Sequence, residues 1–140
     1  MTRDAIIKLF ARREEDWKRR DPVALAAHHA ADGIFESPMA GLVTGRSEIE
    51  RVYRTFCTAF SDFKRQQDLL LIEGDRAAEF GMIFGTDTGG FMGLPPTGRA
   101  IQFPAAFFYL FRDGHIVRFR SVYDFTGLLV QVGILKAKPV

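Results

Sequence analysis

The dominant apolar period of this chain changes near residue 62, and that change limits the folds open to it. Before it, apolar residues recur at helical spacing; after it, they alternate with period two. Residues 2–19 place Ile6, Leu9, Phe10 and Trp17 on one helical stripe, and Arg13 falls on the same stripe. Asp21-Pro22 is an N-cap followed by proline at the first helical position, and predicts a second, short helix over residues 22–30 with His29 facing inward one turn after Leu25. Residues 33–38 read as a short strand stopped by Pro38, and residues 39–45 as a loop. A third helix over 46–61 carries Ile49, Val52, Tyr53, Phe56, Cys57 and Phe60 on one face.

The second half predicts four long strands over 63–72, 76–86, 100–112 and 115–124. Glu73-Gly74-Asp75 and Asp113-Gly114 join consecutive strands as tight hairpins, so the sheet is an antiparallel meander. Three helices followed by strands imply an α+β domain spanning residues 1–140, with the sheet curved around the helices to bury both apolar surfaces. Pro104 inside the third long strand implies a bulge that helps the bend. On that strand Ile101, Phe103, Ala105, Phe107, Tyr109 and Phe111 share one face, and Ala106, Phe108 and Leu110 share the other. Both faces therefore need cover. The helices supply one, and a second copy of the chain is expected on the other, making a homodimer through the outer face of the sheet.

Composition narrows the function classes. Fourteen phenylalanines in 140 residues suit either a Phe-rich core or the wall of an apolar ligand pocket. The 19 basic and 17 acidic residues are interspersed apart from Lys18-Arg19-Arg20, which complements a helix C-terminus, so nucleic acid is not an expected partner. The lone cysteine, Cys57, forms no internal disulfide and reads as a small core residue in a reducing compartment. With neither a signal-peptide core nor a bilayer-length apolar run, the expected setting is cytoplasmic with no membrane partner. His28, His29 and His115 share no metal-ligand spacing with a carboxylate pair, so no metal or cofactor is expected. The Gly89-Gly90-Phe91-Met92-Gly93 loop lacks the lysine-serine sequel of a phosphate cradle and reads as a rigid crossover at the mouth of a cone.

The stretch from Gly85 to Arg99 (GTDTGGFMGLPPTGR), the Arg112-Asp113-Gly114 turn and the tail from Tyr123 to Gly133 together resemble the SnoaL-like polyketide cyclase family of the NTF2-like superfamily. Arg20-Asp21-Pro22 and the Gly33 to Pro38 segment resemble that superfamily too. The resemblance implies a cone of helices on a strongly curved sheet, as in ketosteroid isomerases, enclosing a small apolar or polycyclic ligand. It also implies a catalytic aspartate at the position of Ser121 and an assisting histidine at that of Phe107. The isomerase pattern implies a base at Ser37 and a tyrosine close to Arg13. In each place the chemical group differs, and a serine hydroxyl is no general base without a second base to activate it.

The remaining ionisable candidates are Arg13, Glu36, His29 and Asp124. A guanidinium on an apolar stripe calls for a buried carboxylate or a bound anion. Asp124 is either that partner and a possible base, or the N-cap of a terminal helix at Thr126. Glu36 points away from Phe35 and Ser37, and His29 reads as a core histidine. The expected pocket is lined by Trp17, Phe35, Ser37, Phe56, Phe103, Phe107, Phe119, Ser121 and Tyr123, with Arg13 and Asp124 as the catalytic candidates. Two functions remain open: cofactor-free proton transfer, isomerisation or hydrolysis, and a non-catalytic ligand-binding or dimerisation domain.

Overall fold

The computed structural model describes residues 1–136. Helix α1 (Arg3–Lys18) is capped by Thr2, whose hydroxyl accepts from the Ala5 amide at 3.1 Å, and buries Ile6, Leu9, Phe10, Arg13, Asp16 and Trp17. Helix α2 (Pro22–Ala27) is capped by Asp21 and buries Leu25 and Ala26. Strands β1 (His29–Ser37) and β2 (Gly41–Thr44) form a hairpin, and α3 (Arg46–Ala59) follows. Four long strands come next: β3 (Lys64–Glu73), β4 (Arg76–Thr86), β5 (Ala100–Arg112) and β6 (His115–Tyr123). Helix α4 (Phe125–Gln131) ends the described chain. The six strands form one sheet in the order β2-β1-β6-β5-β4-β3, antiparallel throughout except for the parallel β1/β6 pair. No helix among the described residues is long and apolar enough to cross a membrane.

Three expectations are corrected. Residues 39–45 hold a fourth short element, β2, because the Ser37↔Gly41 pair closes a three-residue turn in which Ser37 Oγ accepts from the Ala40 amide at 3.0 Å. Its exposed Leu42 hides the alternation that marks a strand. Helix α2 stops at Ala27, not near residue 30, because β6 captures the chain: the Ile116 amide donates to the His28 carbonyl at 2.9 Å and His29 pairs with Ile116. His29 is thus a strand residue, fully buried. Pro104 makes no bulge, since β4 and β5 keep register through Met82↔Pro104. The Gln102 amide faces away from β4, donating to Gln131 Oε1 at 2.7 Å, so the missing Pro104 donor faces the same way, beyond the last β5/β6 pair, Ala105↔Tyr123.

The sheet bends elsewhere. Asp68 is an extra residue between the Gln67↔Gly81 and Leu69↔Phe80 pairs, and Val117 is another between Leu110↔Arg118 and Phe111↔Ile116. The first bulge requires glycine opposite it, because a Cβ on Gly81 would fall on the Gln66 carbonyl oxygen. The second lets Ile116 and Phe119, an odd number of residues apart, both face the helices. The concave side carries Phe35, Ile83, Phe103, Tyr109, Phe111 and Phe119, all buried against α1 and α3.

The β4–β5 crossover is tied to α3. Asp87, 1% exposed, accepts from the Gly90 amide, the Thr97 amide and the Thr97 hydroxyl at 3.1, 3.1 and 2.8 Å. The Thr88 and Gly89 amides donate to the Ala59 carbonyl, and Phe91 packs on Phe56 and Phe60. Gly89 is required here, because a Cβ would meet the Thr58 carbonyl.

Candidate functional site

Beneath the curve of the sheet lies a cavity of about 50 Å³. Helix α1 contributes Arg13 and Trp17, and α3 contributes Val52, Tyr53 and Phe56. The strands supply Phe35 and Ser37 from β1, Phe103 and Phe107 from β5, and Phe119, Ser121 and Tyr123 from β6. All nine residues expected to line a pocket do so, together with Arg13. The sequence reading missed Val52, Tyr53, Phe63, Arg65 and Ile83. Tyr53 was visible one residue from Val52 on the α3 stripe. Arg65 reaches the site only through its Ile83 pairing, which no local pattern reveals.

Two guanidinium groups flank this apolar space. Arg13, 2% exposed, donates to the Tyr53 hydroxyl at 3.0 Å, and its Cζ lies 5.5 to 5.9 Å from the ring centres of Tyr109, Tyr53 and Phe119. The same Tyr53 hydroxyl is 2.7 Å from His29 Nε2. Burial first, then the Arg13 charge, hold the His29 imidazole well below its ordinary pKa, so it is neutral near pH 7. Arg65 lies over the Phe107 ring at 4.9 Å and the Trp17 ring at 5.8 Å, and pairs with Glu79 at 2.5 Å. Glu79, 3% exposed, also accepts from Gln67 Nε2 at 2.6 Å and the Tyr109 hydroxyl at 2.8 Å. Burial pushes this carboxyl up, but Arg65, Gln67, Tyr109 and Arg13 outweigh it and hold it below the ordinary glutamate value. The inward glutamate was legible in the alternation Ala77, Glu79, Gly81, Ile83, yet the sequence reading passed over it.

Asp124 does not meet Arg13. Its carboxylate caps α4, accepting from the Gly127 amide at 2.8 Å, and the residue is exposed outside the cavity lining. A cap must sit where the chain turns out of β6, so the base expected at this position is corrected to the capping role. Glu36 faces away from the cavity, 2.6 Å from Arg118 and 3.7 Å from Arg120. Cys57 is half-buried on α3, and burial pushes its thiol up to about 11, the opposite of an activated nucleophile. Among the described residues no group of three or more His, Cys, Asp or Glu side chains is arranged to hold a metal ion.

Phe107 and Ser121 are direct cross-strand partners, and both line the cavity. The Ser121 hydroxyl donates to the Glu36 carbonyl at 3.3 Å. The sequence pattern of the SnoaL-like polyketide cyclases matches residues 8–132. The chain belongs to that family. Among solved structures, AclR of Streptomyces galilaeus, a proposed hydroxylase, is 26% identical, with 94% of this chain and 83% of that one covered and a TM-score of 0.79. TsrD of Streptomyces laurentii is 22% identical, with coverages of 96% and 99% and a TM-score of 0.80. A protein of ketosteroid isomerase-like fold from Catenulispora acidiphila DSM 44928, complexed with trimethylamine, is 20% identical, with coverages of 99% and 100% and a TM-score of 0.75. A comparison with curated proteins found no match. Family membership sharpens the meaning of the Phe107–Ser121 pair. Where the resemblance implies a histidine and an aspartate side by side, this member has a phenyl ring and a hydroxyl, and among the described residues no carboxylate or imidazole lines its cavity.

Proposed function

We propose that this SnoaL-like protein binds a small, largely apolar molecule in the cavity between α1, α3 and the curved sheet. The observation that carries this reading is the convergence of aromatic rings from five elements on one space that also holds Arg13. A cavity that existed only through imperfect packing has no reason to be edged by a buried guanidinium. Size limits the ligand. A cavity of ~150 Å³ takes one benzene ring, so a polycyclic body enters about 50 Å³ only if Phe63 and Phe107, both half-buried, swing aside. Any turnover would be proton transfer, isomerisation or hydrolysis without a cofactor. Arg13 would polarise an oxygen, and the ligand or a water molecule would supply the base. Binding is therefore the function that the geometry supports best.

Native mass spectrometry of freshly purified protein tests it. A co-purifying small molecule, or a thermal shift from at least one compound in a panel of small aromatics, lipids, steroids and polyketides, is the expected result. A bare protein with no shift across the panel would sink the reading.

A second reading, assembly through the outer face of the sheet, has its own support. Leu69, Phe80, Ala106 and Val122 are successive cross-strand partners over β3, β4, β5 and β6, with Leu71 and Phe108 in the adjoining row. Five of these six are exposed large apolar side chains. A second copy of the chain is the proposed cover.

A further inference from the structure

The polar atoms around the cavity are unequal in kind. Four buried side-chain N or O atoms among the described residues have no hydrogen-bond partner in the protein: Arg13 Nε, Trp17 Nε1, His29 Nδ1 and Tyr123 Oη. Three of the four belong to residues that line the cavity. Those three atoms, a guanidinium N–H, an indole N–H and a phenol O–H, can all donate, and two can do nothing else. An unpaired buried donor costs about 1–3 kcal/mol. The Met39 amide reaches the Tyr123 oxygen, which keeps its own O–H to donate, so three unused donors belong to residues that share one small space, and a bound acceptor would satisfy them.

Charge points the same way. Inside the cone two guanidinium groups, Arg13 and Arg65, face one buried carboxylate, Glu79. Glu79 makes its direct contacts to Arg65, Gln67 and Tyr109, and reaches Arg13 only through space. The other acid near Arg65, Glu14 at 3.9 Å, is 41% exposed and its charge is largely screened by solvent. Asp16, on the same helix as Arg13, is engaged by Arg19 and by His28. The hydroxyls that line the space are already engaged: Ser37 accepts from Ala40, Ser121 donates to Glu36, and Tyr53 joins Arg13 to His29. Around the cavity, Arg13 and Arg65 against Glu79 therefore leave one excess positive charge and surplus donors.

Resting on the ligand-binding reading above, we propose that the ligand presents a negatively charged oxygen, as a carboxylate, enolate or phenolate, to Arg13, Trp17 and Tyr123, with an apolar body against the phenylalanine wall. Arg13 supplies charge and Nε–H, Trp17 and Tyr123 supply neutral donors, and the rings exclude water that would weaken the pairing. The cavity accommodates a head group of a few heavy atoms without rearrangement. The rest of the ligand leaves past half-buried Phe63, Phe107 or Tyr123.

The test uses matched probes that differ in charge. Trp17 is the chain's only tryptophan and lines the cavity, so its emission reports occupancy directly. Benzoate and benzamide are titrated into the full-length protein at pH 7, with Arg13→Met, Arg13→Lys and Asp124→Asn as variants. The expected result is that benzoate binds at least tenfold more tightly than benzamide. Arg13→Met should abolish that preference while its Tm stays level or rises, because an unpaired buried charge has been removed. Arg13→Lys should keep part of the preference, and Asp124→Asn all of it. Equal affinity for the two probes, or a preference that survives Arg13→Met, overturns the anion proposal and leaves the pocket intact. Failure of both probes to alter Trp17 emission, together with the absence of any thermal shift in the wider panel, overturns the pocket itself. A large fall in Tm for Arg13→Met with benzoate binding preserved would make Arg13 a structural residue and also overturn the proposal.

Discussion

Glu79 and Arg65 are held in each other's company so completely that either one alone becomes a buried, unpaired charge. Glu79→Gln should cost about 3 kcal/mol, within the range for breaking a buried ion pair from one side. Urea denaturation monitored by far-UV circular dichroism measures it, and a loss under about 1 kcal/mol would show that water reaches the pair. The two neighbouring histidines set a pH dependence. Burial leads in lowering both: the Asp16 hydrogen bond to His28 only partly offsets it, while Arg13 and Arg46 add to it at His29. A histidine that stays neutral in the fold but takes a proton when unfolded contributes stability above its unfolded pKa of about 6.5 and loses it as pH falls towards the folded value. Stability should therefore decline below pH 6.5, by up to ~1.4 kcal/mol per pH unit for each histidine. Chemical denaturation at pH 7.5, 6.5 and 5.5 checks this. Replacing His28 and His29 together by glutamine should flatten the decline.

At the scale of elements, capping and close approach decide what each segment tolerates. Asp124→Ala should remove a cap worth about 1 kcal/mol and leave benzoate binding unchanged, since the carboxylate is outside the cavity. Gly81→Ala and Gly89→Ala should destabilise far more than alanine at Gly41 or Gly74. The first two meet backbone carbonyls, whereas the second two face open space and carry only the cost of positive φ, 69° and 59°. Thermal melts of the four variants give the order. What could be read from the sequence was whatever a local period encodes. The stripes of α1 and α3 and the alternation of β1, β5 and β6 identified nine lining residues, because a side chain's face follows from its own strand or helix. Long-range pairing was not legible. Residues 28–30 continue a helical pattern until β6 takes them, Arg65 enters the site by register with β4, and the bulges at Asp68 and Val117 depend on partner strands. Asp124 illustrates the remaining difficulty, because the same residue type caps a helix or serves as a base, and only position separates the two.

Across the whole molecule, the outer face of the sheet makes the remaining prediction. Phe80→Glu and Phe108→Glu each place a charge in the apolar rows beside Leu69, Leu71 and Val122. If a second copy covers this face, the parent chain should scatter light as a dimer at micromolar concentration and each variant as a monomer, with Trp17 emission unchanged. A monomeric parent would count against the interface. The parallel β1/β6 pair has a temporal consequence. These two strands sit side by side although some eighty residues separate Glu36 from Arg118, and the cavity draws walls from both. On a ribosome, β1 and β2 emerge long before the strand they dock on, and they must wait unsheltered until β6 has been made. The enclosed space thus forms late in synthesis, and a nascent chain cut short before β6 has Trp17, Phe35, Phe56, Phe103 and Phe107 but neither Phe119 nor Tyr123, and no way to close the rings into a pocket.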